Sequence, residues 1–392
     1  MKKLNKKLKM FKVLIACYAN WDTSAEMPFL LKKSGCIVDV YCSKKSWLIS
    51  NKYYNKWIES GSTDENYFRE LIYLVENSNY NWIILADDIL IKKANDYIKG
   101  EAIFKKIMPI HNIEQRYFLS SKNGFSKFCI DNNINTPKYY TYNKKEDALE
   151  IRNKLNFPIV NKLEFSWGGT DMQVSYTFDE FYKNLNKIPE DQNVLIQEFL
   201  EGEELRVDAL YYNGILVTYL TSNALDYTKN RFSYNTRRRY YENKSIFPLL
   251  KDLGAKTGLN GFANITYIKD IKNEKYYLIE IDPRPNSWIA NSRFIAKNNF
   301  FEGVKNIISK KYIHGFQEMG IKNSNVEIAL FYKDIRRAIW KKDYRGIMKW
   351  VLNIKGYWRF LPFYDLKLTK RVMTEIWHEV FVFKWKRIIG KI

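Results

Sequence analysis

Apolar residues follow two rhythms along this chain. Phe11 to Tyr18 is an unbroken apolar run, as in a parallel strand buried on both faces. A helical stretch follows from about Ser24 to Ser34, with Gly35 where a helix C-cap belongs. Residues 36–42 (CIVDVYC) read as a second strand, 64–78 as a helix and 81–88 (NWIILADD) as a third strand ending in two acids. Strand–helix–strand alternation predicts a doubly wound α/β layer over residues 12–110. It has no GxGxxG turn, so dinucleotide binding is not predicted.

From about residue 111 the pattern becomes α+β. Residues 115–132 read as a helix and the charged segment 143–155 as a surface helix. Phe157 to Lys162 reads as a short strand before a Ser-Trp-Gly-Gly turn at 166–169. Residues 193–199 and 205–211 read as strands separated by Glu201 to Glu204, and Asn213-Gly214 predicts a hairpin into a strand at 215–221. Lys275 to Asp282 reads as a strand stopped by Pro283 and Pro285. After about residue 304 the apolar spacing is helical; pairs such as Ile376/Trp377 and Val380/Phe381 predict a helix over 372–389.

Composition adds a few limits. With 392 residues, 46% hydrophobic and 16% aromatic, the chain can bury large cores and divides into two or three domains. No apolar run approaches the ~18–20 residues of a spanning helix, and the basic-then-apolar start lacks a cleavage site, which predicts a cytoplasmic protein. Cys17, Cys36, Cys42 and Cys129 form no CxxC pair, and only three histidines accompany them. Zinc sites and disulfide frameworks are therefore not predicted. Residues 1–12 hold six lysines and no acid, and residues 331–392 hold 16 basic against 5 acidic side chains, so these ends carry +17 of the net +21.

The chemistry concentrates in three segments. In LIEIDPRPN (278–286), alternation puts Glu280 and Asp282 on one face, where two carboxylates repel unless a cation sits between them. Oxygen ligands at this spacing suit magnesium beside nucleotide phosphates, and Arg284 continues the register. The competing reading is a solvated strand end. Lys162 ends an apolar strand six residues before Gly168-Gly169, and a lysine beside a glycine turn can hold phosphates. The third segment, Gln197-Glu198-Phe199-Leu200 leading to Glu204, is an apolar strand running into acids, which suits an adenine edge and ribose hydroxyls.

The order of these segments resembles the ATP-grasp superfamily, and most of all its carbamoyl-phosphate-synthase and biotin-carboxylase-like branch, over about residues 111–300. The resemblance implies a Rossmann-like pre-ATP-grasp domain (12–110), an ATP-grasp domain (111–303) whose two α+β subdomains clasp ATP, with a lid at about 135–200, and a C-terminal helical extension (304–392). It implies ATP and Mg²⁺ as cofactors. Lys122, Lys162, Gly168 and Gly169 would hold phosphates; Gln197, Glu198, Phe199 and Leu200 would form the adenine hinge; Glu204 would take the ribose. Glu280 and Asp282 would bind magnesium. Arg284, Lys229 and Asn286 would be catalytic, with Arg231 and Arg237 to Arg239 on the same mobile loop as Lys229, suited to an anionic substrate. Two departures stand out. Asp282 replaces the family's Asn, and Thr266 stands where the family places an acidic or amide metal ligand.

The implied reaction joins a carboxylate to an amine through an acyl phosphate, releasing ADP and phosphate. The alternatives are an ATP-grasp small-molecule kinase, or a degenerate nucleotide-binding module at a membrane or surface-polysaccharide assembly. The family's frequent pairing implies a homodimer. Five of the eleven tryptophans (Trp340, Trp350, Trp358, Trp377, Trp385) lie in the basic tail, among clusters such as Arg336, Arg337, Lys341, Lys342 and Arg345. Aromatic, basic helices suit an anionic membrane surface, so residues 331–392 are expected either to dock peripherally on a bacterial inner membrane or to pack on the core. No nucleic-acid motif accompanies the charge.

Overall fold

The computed structural model describes residues 10–143, 148–165, 172–186, 188, 193–314, 320, 326–352 and 361–378. The N-terminal layer contains β1 (Lys12–Ala16), α1 (Met27–Lys33), β2 (Ile37–Cys42), β3 (Lys56–Glu59), α2 (Asp64–Asn77), β4 (Trp82–Leu85), α3 (Asp88–Tyr97) and α4 (Glu101–Ile107). Its four strands are parallel in the order β3-β2-β1-β4. The order reverses between β1 and β4. Open α/β sheets bind ligands in the crevice at the carboxyl ends of the strands flanking such a switch point. Here the crevice is bordered by residues 17–24 and 86–88.

The predicted helix over 115–132 is two pieces. A 3-10 turn spans Ile113–Phe118, Ser120 takes a positive φ of 60°, and α5 (Lys122–Asp131) begins afresh. Ser121 caps α5, its hydroxyl accepting from the Gly124 amide. A Cβ at Gly124 would lie 2.1 Å from the Tyr117 carbonyl oxygen, so only glycine fits there. A four-stranded antiparallel sheet follows: β5 (Tyr139–Asn143), β6 (Ile159–Leu163), β7 (Gln173–Ser175) and β8 (Asn193–Glu198), in the order β5-β8-β6-β7, with α6 (Phe178–Leu185) packed on it. The surface helix expected over 143–155 is instead the end of β5 and a 3-10 turn at Arg152–Lys154, with residues 144–147 outside the described set. Ala148 and Ile151 both reach this sheet's core, and one tight turn satisfies that spacing.

The larger sheet is antiparallel: β9 (Gly202–Tyr212), β10 (Ile215–Tyr227), β11 (Asn235–Tyr241), β12 (Gly261–Asp270), β13 (Tyr276–Asp282) and β14 (Val326–Ala329), in the order β13-β12-β9-β10-β11-β14. The acids at 201–204 thus open β9 rather than interrupting two strands. Helices α7 (Phe247–Thr257), α8 (Ser292–Ile295) and α9 (Phe300–Ile308) belong to the same body. The tail is not purely helical, because β14 completes the large sheet before α10 (Phe331–Trp340), α11 (Tyr344–Leu352) and α12 (Leu366–Trp377). The expected helix over 372–389 is described only to His378 and starts earlier, at Leu366.

The N-terminal layer and the large sheet share one continuous core, running from Val13 and Leu14 to Val207, Phe262 and Leu330. The small sheet has its own, built from Tyr142, Ile159, Phe181, Val194 and Ile196 among others. A third, small cluster joins Ala25 and Trp47 to Leu368 and Val372 of α12.

Candidate active site

A cleft of about 360 Å³ opens between the small and large sheets. Val160, Lys162, Gln197, Glu198, Phe199 and Leu200 line it from one side, Ile268 and Ile279 from the other. Five residues expected around a nucleotide therefore meet in one place. The Gln197 side chain is buried and donates to Ser126 Oγ at 3.3 Å, so it also braces α5. The amides of Glu198 and Phe199 donate to the carbonyls of Lys138 and Pro158, at 2.9 and 3.1 Å. Those bonds remove both amides from any purine edge and leave Leu200 as the hinge amide that neither consumes.

Lys162 is buried, and desolvation lowers its ammonium to about 8, with Glu280 opposing and Lys122 reinforcing the shift. Lys122 is the first residue of α5, just after the Ser121 cap, and close enough for its charge to act on Lys162. Gly168 and Gly169 lie outside the described residues.

Sheet register assembles the opposite wall. Asn264 pairs with Asp282 and Thr266 with Glu280 across β12 and β13, while Asp208 and Arg206 of β9 pair with Asn264 and Thr266. Directly paired residues share a face. One face of the sheet therefore carries Asp208, Arg206, Asn264, Thr266, Glu280 and Asp282, and Ile268, next along it, walls the cleft. Burial pushes the Asp282 carboxyl well above its usual range; Arg284 opposes this, and Glu280 and Asp88 add to it. Asn264 donates through Nδ2 to Asp282 Oδ2 at 3.3 Å, while its Oδ1 and the Thr266 hydroxyl are buried with no hydrogen-bond partner. Buried polar atoms rarely stay unsatisfied, and two orphaned oxygens beside two carboxylates fit a hard cation. No group of three or more His, Cys, Asp or Glu side chains clusters among the described residues, so amide and hydroxyl oxygens would complete the ligand set.

Arg284 donates through Nε to Asp88 Oδ1 at 2.5 Å and through Nη2 to Asp282 Oδ2 at 3.2 Å. Burial alone would make its charge less favourable, but these two carboxylates outweigh that and hold it protonated. Asp88 begins α3, beside the switch point of the parallel sheet. Its neighbour Asp87 caps that helix and accepts from the amides of Tyr18 and Ala19, at 2.8 and 3.2 Å. The N-terminal layer thus positions the arginine.

Other expected residues sit elsewhere. Asn286 donates to Asp208 Oδ1 at 2.7 Å and accepts from the Trp288 amide at 2.8 Å, so both ends of its amide fasten the loop after β13. Lys229 is exposed in the turn between β10 and β11, while Arg231 of the same turn lines the cleft, 5.2 Å from the Phe199 ring. The arginine run is a strand rather than a mobile loop. Arg237 pairs with Asp226 at 2.7 Å, Arg238 with Asp208 at 3.1 Å and Arg239 with Glu327 at 2.6 Å. Each of the three arginines is thus paired with a carboxylate. Glu204 shares the cleft's face opposite Ile268 but is held by Arg206. Sequence reasoning missed Asp88, Arg206, Asp208 and Asn264. Only the alternation from Thr266 back to Asn264 offered a signal.

Residues 119–287 match the family profile of the ATP-grasp domain. The carbamoyl phosphate synthase large chain of a Thermoanaerobacter species is 26% identical over 169 residues, covering 41% of this chain but only 16% of that relative's length. The L-amino acid ligase from Bacillus licheniformis has a TM-score of 0.57 at 14% identity, with 79% of this chain and 77% of that one covered. The N5-carboxyaminoimidazole synthetase from Staphylococcus aureus, solved with ADP, reaches 0.63 at 12% identity, with 87% and 88% covered. At these identities the two solved structures establish a shared fold. The segment 119–287 that matches the ATP-grasp domain model is preceded by a parallel α/β layer and followed by a tail built into the same sheet.

Proposed function

We propose that this chain is an ADP-forming ligase that joins a carboxylate to an amine. The observation that carries the reading is the facing of Lys162 and the cleft between the sheets against the oxygen-rich face of Asn264, Thr266, Glu280 and Asp282. ATP lies between the sheets, its purine beside Phe199 and Leu200 and its phosphates beside Lys122 and Lys162. Glu280 and Asp282, with the Asn264 and Thr266 side-chain oxygens, would hold magnesium, which would supply neutralising charge for the phosphates. A substrate carboxylate oxygen attacks the γ-phosphorus, ADP leaves, and Arg284, fixed by Asp88 and Asp282, offsets charge on the transferred oxygens. The amine nitrogen then attacks the acyl carbon, phosphate departs and the nitrogen loses a proton. The small sheet excludes water from the acyl phosphate.

The test is ADP release with ATP and Mg²⁺ across paired pools of carboxylic acids and amines, with Glu280→Ala as control. Release that needs both an acid and an amine, and disappears in the variant, supports the ligase. Release with a single acceptor makes the chain a kinase. ADP binding without turnover leaves a nucleotide-binding module.

One observation favours a peripheral membrane location as a second reading. Tyr344, Met348 and Leu352 follow one face of α11 and are exposed, with exposed Arg345 beside them, and Trp340 and Trp377 are also exposed. An apolar stripe beside cations suits an anionic lipid surface. Trp350 does not contribute, because it is buried with its indole donating to Asp334 at 2.8 Å. Arg337 is likewise buried in an ion pair with Asp334 at 2.8 Å. Trp358 and Trp385 lie outside the described residues. No helix among the described residues is long and apolar enough to cross a membrane. Flotation with phosphatidylglycerol vesicles but not with phosphatidylcholine vesicles is expected; equal recovery with neither removes this reading.

A further inference from the structure

A second cavity, of about 460 Å³, lies where α12 closes over the N-terminal layer. Leu368 and Val372 of α12 form part of its wall, facing Trp47 from the loop after β2. The tail is fastened there. Arg371 donates to the carbonyls of Ser46 and Lys45, both at 2.8 Å, and Lys52 donates its amide to Asp365 Oδ2 at 2.5 Å.

Two wall residues of the cavity are chain neighbours of groups at Arg284. Asp22, in its wall, follows Trp21, whose ring lies 6.0 Å from the Arg284 guanidinium. Ser287, also in the wall, is three residues past that arginine. The wall includes residues of the 17–26 segment that leaves the carboxyl end of β1, on one side of the switch point.

Most of the wall is apolar, but two carboxyl side chains, Asp22 and Glu26, project from consecutive turns of one segment. Asp22 faces Lys333 at 3.1 Å, so its charge is already shared. Glu26 accepts from the Tyr364 hydroxyl at 2.7 Å, and burial pushes its carboxyl up to about 8, with Tyr364 and Arg293 opposing. Thr23 Oγ1 and Tyr332 Oη, both of wall residues, are buried with no hydrogen-bond partner. An anionic guest would meet two acids. A neutral apolar guest would leave both hydroxyls unsatisfied. A guest with an ammonium group adds to Arg293 in favouring the ionised form of Glu26 and offers donors to the two hydroxyl oxygens.

We propose that this cavity is the acceptor subsite and takes a primary amine with an apolar body, its amino group at the Asp22–Glu26 end and its body against Trp47, Leu368 and Val372. Its place in the reaction rests on the ligase reading above. The tail, through α12, then sets which amine is accepted.

Calorimetric titration of the full chain with hexylamine, hexanol and hexanoate tests the assignment. It is run on the wild type, Glu26→Gln and Leu368→Trp, each checked for ADP binding as a measure of folding. Hexylamine is expected to bind the wild type more tightly than the other two. Glu26→Gln should weaken it about tenfold, the scale of one charge-assisted hydrogen bond. Leu368→Trp should abolish it with ADP binding retained; if that variant does not fold, Glu26→Gln decides. Absence of hexylamine binding, hexanoate binding as tight as hexylamine, or hexylamine affinity unchanged in folded variants overturns the proposal. Hexylamine binding without ADP release from any acid–amine pool would keep the subsite and remove the ligase. ADP release whose amine KM ignores both substitutions would do the reverse.

Discussion

Lys162 is the residue whose environment makes the sharpest demand. Its ammonium sits at about 8 in the free protein because burial disfavours the charge. Phosphates favour the charged form, so ATP binding draws a proton onto Lys162 at any pH above that value. Affinity for ATP is therefore flat below about 8 and falls as pH rises through it, by up to about tenfold per unit for one linked proton. Calorimetry across pH 6.5 to 9.5 checks this, and Lys162→Met should bind weakly with the step gone. Asn264 makes a second demand. Its Nδ2 donates to Asp282 at 3.3 Å, and its side-chain oxygen is buried without a partner. Asn264→Leu is expected to weaken Mn²⁺–ADP binding about tenfold, on the scale of a perturbed metal shell, with metal-free ADP binding unchanged; titration followed by electron paramagnetic resonance separates the two. Lys162, Glu280, Asp282 and Arg284 were legible from the sequence because each sits in a short, patterned segment. Asp88 was not, because it meets Arg284 only through a contact spanning 196 residues. Asp208 and Asn264 became neighbours through sheet register, which no local pattern reveals.

At the scale of elements, the misreadings share one cause. Thr236 to Tyr241 carries no apolar alternation, so the arginines look like a solvated loop. The strand forms because its inward side chain, Arg238, is neutralised. Asp208 accepts from Arg238 Nη1 at 3.1 and 3.2 Å, Asn235 accepts from its Nε at 2.7 Å, and the Trp288 ring lies 4.5 Å away. The pair exposes only 3% and 1% of its side chains. Removing one partner strands a buried charge, so Arg238→Met is expected to cost about 3–5 kcal/mol in urea unfolding. The same substitution with Asp208→Leu should recover part of that loss. A single variant as stable as wild type would show that the strand is held by its backbone ladder alone. The break between the 3-10 turn and α5 has a similar origin. Apolar spacing continues through 115–132, but the left-handed turn at Ser120 restarts the helix so that Ser121 caps it at Lys122. Propensity is blind to such a break; the phosphate-facing end of α5 depends on it.

At the scale of the whole molecule, the division of cores predicts how the cleft opens. The N-terminal layer and the large sheet bury a common apolar cluster, whereas the small sheet at 139–198 closes on its own. Elements that share a core open together, and an element with a small separate core opens at lower free energy. Amides in β6 and β8 should therefore exchange with solvent through opening of the small sheet alone, while those in β9 and β12 wait for global unfolding. The cleft is lined from both sheets, by Val160 and Lys162 on one side and Ile268 and Ile279 on the other. A bound nucleotide ties the small sheet to the large one and must be released before the small sheet opens. At a ligand concentration 100 times Kd, linkage adds about 2.7 kcal/mol to that opening, which slows exchange in β6 and β8 about a hundredfold. Hydrogen exchange read by mass spectrometry, with and without ADP, measures both quantities. Uniform protection across the two sheets without nucleotide would mean that they unfold as one unit, and closure over ATP would then have to come from the turn that carries Arg231 rather than from the small sheet.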